Sequence, residues 1–176
     1  YNYLLARENL TDHLEKKDKN NKVRQRLLKI RAKKVILATG ALERPLIFNN
    51  NDRPGIMLST AVKKYADFFG VKCGEKNVFF TNNDSAYESA LCLFNKGIKV
   101  DAIIDIRNNS NSKIVKAVEQ AGIKIYWSHT VVDTNGYRRL NNISIMKLSN
   151  DGMTVTGNRI NISCDCLGVA GGWTPA

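Results

Sequence analysis

One stretch of the chain combines a strand pattern with a turn that can approach a nucleotide. Residues 35–38 are an unbroken apolar run, which predicts a buried strand covered on both faces. Thr39, Gly40 and Ala41 follow this run and keep side chains small just beyond the carboxyl end of the strand. Open α/β sheets bind nucleotides at that end of their strands. The stretch therefore indicates a nucleotide-binding turn.

A second stretch near the end of the chain repeats this arrangement. Residues 166–170 again predict a short apolar strand, which runs into Gly171 and Gly172 and then a proline, Pro175. We expect the two stretches to lie side by side, with Gly40 close to Gly172. The chain between them then reads as one insertion in a dinucleotide-binding scaffold.

The inserted segment alternates strand and helix patterns. Strands are predicted over residues 77–81, 100–106 and 123–127, and helices over residues 85–95 and 113–120. The order βαβαβ is half of a nucleotide-binding fold with a parallel sheet.

The first turn of this inserted unit lacks the glycines that approach a pyrophosphate. Residues 81–86 read Thr-Asn-Asn-Asp-Ser-Ala instead of G-x-G-x-x-G, and Asp84 would repel a phosphate at the helix N-terminus. We expect the unit to keep the fold and to bind a dinucleotide weakly or not at all. Asp105 could meet a ribose hydroxyl, but a surface carboxylate or a partner of Arg107 is the better interpretation.

Two acid–Arg–Pro turns flank a polar segment, at residues 43–45 and 52–54. Arg44 and Arg53 could hold a phosphate or a partner domain. The alternative is that each arginine pairs with its neighbouring acid and braces its loop.

Few residues are suited to catalysis. His13 and His129 are the only histidines, and the sequence has no Ser-His-Asp, Cys-His or H-E-x-x-H arrangement, so we expect no catalytic residue. None of the four cysteines forms a C-x-x-C pair. Cys164 and Cys166 are two apart on a predicted strand and should face the same side. Packed thiols in a reducing cytoplasm explain them better than a zinc site.

The remaining segments complete three predicted domains. Residues 1–73 form a partial first dinucleotide-binding domain with antiparallel strands before residue 33, a charged loop at 15–22 and a connecting helix at 61–69, capped by Ser59 or Thr60. Residues 74–163 form the inserted domain, which ends in a β-meander. Residues 164–176 return to the first domain. The fold class is α/β, a Rossmann-like three-layer second domain inserted in a partial FAD/NAD-binding domain.

Charge and length exclude little. The 176 residues carry a net charge of +11, but the lysines are spread along the chain without interleaved aromatic residues, so we expect no nucleic-acid partner. No apolar run reaches the roughly 18 residues of a membrane span. The chain opens on tyrosine without a signal-peptide pattern, and we expect a piece of a longer polypeptide.

Five motifs occur in a fixed linear order, at residues 10–14, 35–45, 51–57, 80–87 and 171–175. Together they resemble the α subunit of heterotetrameric sarcosine oxidase. Related amine and proline dehydrogenase subunits and cyanide-forming glycine dehydrogenases share the Ala-Thr-Gly and Gly-Gly-Trp-x-Pro elements, whereas the Asn-Asp-Arg-Pro-Gly run favours sarcosine oxidase.

The resemblance implies an oxidoreductase that demethylates sarcosine to glycine with O₂, giving peroxide and, with tetrahydrofolate, methylenetetrahydrofolate. It implies NAD in the α subunit, FAD and FMN in the holoenzyme, and β, γ and δ subunits as partners besides the rest of the α subunit. The NAD glycine motif would lie before residue 1 and the folate domain after residue 176. The fragment alone would then be inactive and bind no cofactor.

The resemblance also places the candidate cofactor-binding residues. A non-catalytic interaction module, with the insertion presenting a surface to other subunits, is the alternative from a different functional class. The candidate residues are Thr39, Gly40, Ala41, Gly171, Gly172, Thr174 and Pro175.

Overall fold

The chain divides after Thr39 into two units, Tyr1–Thr39 and Gly40–Ala176. The structure is a computed structural model that describes residues 2–15 and 22–176. Most of the predicted charged loop at residues 15–22 therefore lies outside the described residues. The domain boundaries predicted at residues 73 and 163 stay predictions.

The first unit is built on an antiparallel hairpin. Strand β1 (Asn2–Asn9) pairs with strand β2 (Gln25–Ala32). The predicted antiparallel pairing is confirmed, and Leu4 lies opposite Ile30 as one apolar cross-strand pair.

The buried strand predicted over residues 35–38 is wrong. Residues 34–40 have no strand geometry, and Ile36 and Leu37 are 90% and 81% exposed. A strand is stable only when its backbone groups find a ladder partner. Strands β1 and β2 already pair with each other, and no described strand pairs with residues 34–40. The apolar run therefore stays in solvent.

The second unit contains ten strands and three helices, all within its described residues. In chain order these are β3 (Ala41–Glu43), β4 (Ile56–Leu58), α1 (Ser59–Asp67), β5 (Asn77–Thr81), α2 (Ser85–Asn95), β6 (Val100–Asp105), α3 (Lys113–Gln120), β7 (Lys124–Trp127), β8 (His129–Asn135), β9 (Asn142–Leu148), β10 (Val155–Ser163), β11 (Cys166–Ala170) and β12 (Trp173–Pro175).

A five-stranded parallel sheet forms the middle of this unit, in the order β4-β11-β5-β6-β7. Strand β5 shows why the unit has three layers. Its side chains alternate, so that Phe79 packs in the core with the helices and Phe80 in the core with the antiparallel sheet β8-β9-β10. Both faces of β5 are buried, which explains its continuous apolar sequence.

The predicted elements of the inserted segment are largely confirmed. Strand β5 and helices α2 and α3 have the predicted bounds, while β6 ends one residue earlier and β7 begins one residue later than predicted. Helix α1 begins two residues before the predicted start, with Ser59 and Thr60 inside its first turn. None of the helices among the described residues is long and apolar enough to span a membrane.

The expectation that Cys164 and Cys166 share one face is wrong. Cys166 packs with the helices and Cys164 with the antiparallel sheet. The chain bends between them, because β10 ends before Cys164 and the N–H of Asp165 donates to the carbonyl of Lys76 at 3.1 Å. Both thiols are buried, which confirms packed thiols at these positions, and burial raises the pKa of each to about 12.

Strand β11 passes so close to β5 that Gly168 has no room for a side chain. A Cβ there would lie 2.6 Å from the ring of Phe79. We predict that Gly168→Ala lowers the free energy of unfolding by about 1–3 kcal/mol through overpacking. Urea denaturation followed by circular dichroism measures this. Phe79→Leu in the Gly168→Ala background should recover part of the loss, and an unchanged stability of Gly168→Ala would contradict the packing described.

Candidate functional site

The two predicted binding turns of the second unit form one short ladder, which we call the return-turn site (residues 40–44 and 171–176). Strand β3 pairs antiparallel with β12, with Ala41 opposite Pro175 and Leu42 opposite Thr174. The predicted side-by-side arrangement is confirmed for residues 41–43 and 173–175 only, and the expectation that Gly40 lies close to Gly172 is wrong. Gly40 accepts a hydrogen bond from the N–H of Ala176, so Gly40 and Gly172 lie at opposite ends of the ladder rather than together.

The backbones at the Gly172 end of this site are unusually close. The N–H of Gly171 donates to the carbonyl of Arg44 at 2.6 Å, and the N–H of Arg44 donates to the carbonyl of Gly172 at 2.8 Å. A Cβ on Gly171 would lie 2.8 Å from the carbonyl oxygens of both Arg44 and Pro45. Glycine is required at position 171 because two backbones cross there.

The outside of the site is open. No heavy atom lies within 4 Å of where a Cβ would stand on Gly40 or Gly172, and both residues have positive φ. Ala41, Thr174 and Pro175 are exposed. A ligand can therefore approach the backbone closely, which fits the edge of a dinucleotide. Thr39, the remaining candidate, is exposed and belongs to the first unit.

Glu43 attaches the site to helix α1. Its carboxylate accepts hydrogen bonds from the Ser59 hydroxyl at 2.9 Å and from the N–H of Thr60 at 3.0 Å. A carboxylate at this helix end satisfies free N–H groups and complements the helix dipole. Glu43 thus caps α1 instead of pairing with Arg44. The interpretation that Glu43 and Arg44 pair to brace their loop is therefore wrong. The Ser-Thr pair marked the helix start, but nothing local to it revealed an acid 16 residues upstream.

Arg53 is used inside the fold. Its guanidinium donates to the carbonyl of Gly136 and lies 3.4 Å from the Thr134 hydroxyl. Asn49 and Asn50 donate to the carboxylate of Asp133 at 3.1 Å. These hydrogen bonds therefore hold the polar segment at residues 49–53 against β8. Arg53 does brace its loop, but through Thr134 on β8 and Gly136 in the turn after it. The expected pairing of Arg53 with Asp52 is not found among the described residues.

The second predicted turn, between β5 and α2, is filled by internal polar contacts. Asn83 accepts from the N–H of Ser85 at 3.0 Å. Asp84 at the helix N-terminus pairs with Arg107 at 2.8 Å, and Arg107 pairs with Asp105 at 2.8 Å. The interpretation of Asp105 as a partner of Arg107 is confirmed.

Asp105 is not a surface carboxylate, because its side chain is fully buried. The Tyr87 hydroxyl donates to it at 2.8 Å, and Trp127 stacks on the Tyr87 ring. Burial, and then the negative charge of Asp105, raise the pKa of Tyr87, so its hydroxyl stays a donor.

Asp84 keeps its negative charge at the position where a phosphate would sit. Burial opposes that charge, but hydrogen bonds from Arg107, Ser112 and Ser110 and the charge of Arg107 together lower the pKa of Asp84 below its ordinary value. The hydrogen bonds that Arg107 donates to Asp105 and Asp84 raise the pKa of Arg107 against the effect of its burial. The geometry supports the expectation of weak dinucleotide binding at this turn, which stays a prediction.

The second turn and the return-turn site meet at the carboxyl end of β11. The Asn83 side chain donates to the carbonyl of Ala170 at 3.3 Å, and the Asn82 side chain lies 3.5 Å from the carbonyl of Gly171. Beside them is an apolar pocket of about 230 Å³, smaller than typical ligand sites. Its lining is Pro45, Leu46, Phe48, Asn51, Ile56, Met57, Leu58 and Val169. The described residues contain no His, Cys, Asp and Glu cluster suited to a metal ion.

Three curated relatives are similar to most of the chain. Sarcosine oxidase subunit alpha of Corynebacterium sp. strain P-1 is 40% identical over 176 residues, which is 99% of this chain and 18% of that protein. The same subunit of Corynebacterium sp. strain U-96 is 37% identical over 174 residues, 99% of this chain and 18% of that protein. That of Rhizobium meliloti strain 1021 is 37% identical over 152 residues, 86% of this chain and 14% of that protein.

These relatives confirm the resemblance to the sarcosine oxidase α subunit. The chain spans less than a fifth of the length of each of them. No protein-family model matches the chain.

Solved structures confirm the fold class. Thioredoxin reductase of T. acidophilum has a TM-score of 0.63 at 19% identity, covering 86% of this chain and 48% of that chain. A FAD-dependent pyridine nucleotide-disulphide oxidoreductase from Desulfovibrio vulgaris has a TM-score of 0.56 at 14% identity, covering 85% of this chain and 38% of that chain. At these identities the likeness shows the fold alone.

The ion pairs at the second turn should matter for stability because one carboxylate is buried. We predict that Arg107→Leu lowers the free energy of unfolding by about 3 kcal/mol, since it leaves the buried Asp105 carboxyl group without its arginine partner. Urea denaturation at pH 7 measures this.

Arg159→Leu is the matched control, because Arg159 is 54% exposed and lies 3.9 Å from Asp133. An exposed pair of this kind contributes about 0–1 kcal/mol. Equal losses in the two variants would contradict the role given to Arg107.

Proposed function

We propose that this chain is part of the α subunit of a sarcosine oxidase. The observation that carries the proposal is the identity of 37–40% to three proteins named sarcosine oxidase subunit alpha, which extends over 86–99% of the chain. The return-turn site supports it, because both motif turns that carried the resemblance lie together in one ladder.

The reaction we propose for the whole enzyme oxidises the N-methyl group of sarcosine. Sarcosine, O₂ and tetrahydrofolate give glycine, H₂O₂ and methylenetetrahydrofolate. The two electrons and two protons removed at the CH–NH bond reduce O₂ to H₂O₂, and the one-carbon unit passes to the folate. This chain provides no catalytic residue for these steps in the proposal, and the chemistry lies elsewhere in the enzyme.

The role we propose for this chain is to support NAD binding and domain docking. NAD, when bound, supplies a nicotinamide ring that exchanges a hydride. Gly40, Gly171 and Gly172 would keep the backbone open to the dinucleotide. Ala41, Thr174 and Pro175 would line the same edge.

The proposal also names what surrounds the chain. Its partners are the remainder of the α subunit and the β, γ and δ subunits of a heterotetramer that holds FAD and FMN. We place this enzyme in the cytoplasm.

An amine-oxidation assay tests the function. The protein that carries this chain, prepared with its partner subunits, should consume O₂ with sarcosine and release equimolar H₂O₂. Without tetrahydrofolate, the oxidised N-methyl group should be released by hydrolysis as formaldehyde. Added tetrahydrofolate should lower the yield of formaldehyde and raise that of methylenetetrahydrofolate. L-Proline and glycine are the discriminating substrates. Turnover of either in place of sarcosine would assign the chain to a related dehydrogenase and overturn the proposal.

We further predict that residues 1–176 alone bind NAD weakly. The chain contains no G-x-G-x-x-G, and the turn before α2 carries an ionised aspartate where phosphates would bind. Isothermal titration calorimetry with NAD, run beside the intact protein as the control, measures this. A sub-micromolar dissociation constant for the isolated chain would contradict the prediction.

A further inference from the structure

Arg44 differs from most arginines of the second unit, because its side chain has no partner among the described residues. It is exposed at the return-turn site. Arg138, in the loop that joins β8 and β9, is the other arginine of this unit without a partner in the described part of the chain. The four arginines with hydrogen-bond or ion-pair partners are Arg53, Arg107, Arg139 and Arg159.

The backbone of Arg44 is held on both sides. Its N–H donates to Gly172 and its carbonyl accepts from Gly171, at 2.8 and 2.6 Å. Pro45 follows and fixes the next φ angle. The close approach of Gly171 to the carbonyls of residues 44 and 45 leaves the segment little room to move. The guanidinium therefore extends from a rigid base, although the side chain itself is free.

The charge of Arg44 is not neutralised by its sequence neighbour. Glu43 directs its carboxylate to Ser59 and Thr60, where it caps helix α1. In the second acid–Arg–Pro turn, the Arg53 guanidinium already makes hydrogen bonds with Thr134 and Gly136. The two turns look alike in sequence, but only Arg44 keeps its guanidinium available to a ligand.

We propose that Arg44 binds a phosphate of the dinucleotide at the return-turn site, an inference that rests on the proposed NAD-binding role of this site. A guanidinium offers two parallel N–H groups that match two phosphate oxygens. The site lies past the carboxyl end of β11, where parallel sheets bind nucleotides. The open backbone at Gly172 allows the anion to approach.

Equilibrium titration with NAD tests this in the intact protein that carries the chain. Arg44→Gln should weaken NAD binding about tenfold or more, because one charge-assisted contact is lost. The NAD affinity of Arg44→Lys should lie between those of the wild-type protein and Arg44→Gln, since lysine keeps the positive charge but lacks the two parallel N–H groups of the guanidinium. Arg138→Gln removes the same charge from another exposed arginine that has no partner in the part of the chain that the structure describes, and it should leave the affinity unchanged.

Inorganic phosphate provides the second readout. It should compete with NAD in the wild-type protein and compete less in Arg44→Gln, and added salt should weaken wild-type binding more than binding by the variant. Circular dichroism checks that the variants fold. If Arg44→Gln does not fold, the NAD affinity and phosphate competition of Arg44→Lys decide whether Arg44 binds the phosphate.

The outcomes separate the two proposals. If the wild-type protein binds no NAD, the proposed role of the site fails and this inference fails with it. If the wild-type protein binds NAD but Arg44→Gln binds it equally well with equal phosphate competition, Arg44 is no phosphate ligand and only this inference fails. Loss of a partner subunit from Arg44→Gln at unchanged NAD affinity would assign Arg44 to a protein carboxylate and also overturn it.

Discussion

The exchange of backbone hydrogen bonds between Arg44 and the glycine pair at 171–172 is the constraint on which the second unit depends. It joins the segment that enters the parallel sheet to the segment that leaves it, across more than 120 residues of intervening chain. Because two backbones cross without side chains between them, position 171 accepts only glycine. Glu43 extends the same anchor to helix α1, so strand β3, strand β12 and the first helix are held as one assembly.

The carboxyl edge of the parallel sheet carries two turns with opposite properties. The return-turn site is open at Gly40 and Gly172, and the Arg44 guanidinium there has no partner among residues 2–15 and 22–176. The turn before α2 is occupied by its own side chains, with Asp84, Arg107 and the buried Asp105 satisfying one another. Charge neutralised inside the fold cannot also recognise a phosphate. The two turns therefore differ physically in that the charged groups of the turn before α2 already pair with one another, whereas the guanidinium at the return-turn site pairs with none of the described residues.

The sequence predicted the inserted segment well because its signals are local. Strand β5 is an apolar run, α3 has a polar N-cap at Ser112, and α2 ends before a glycine, so pattern and capping agree with the fold. The missing glycines before α2 were equally visible. Each of these features is determined by residues that are close together in the sequence.

The errors came from long-range effects. Residues 35–38 have a strand sequence, but strand formation needs a partner that no described strand supplies. Cys164 and Cys166 separate because the chain bends at Asp165, a feature set by contacts with Lys76. The helix cap from Glu43 and the use of Arg53 by β8 likewise depend on residues distant in sequence. Pairing across the fold, rather than propensity, decides such positions.

A crystal structure of the intact protein with bound NAD tests the central claim most directly. The account predicts that the dinucleotide contacts residues 40–44 and 171–175, while Asp84, Asp105 and Arg107 keep their mutual ion pairs. NAD bound instead across residues 82–85, with Arg107 released from Asp84, would contradict it.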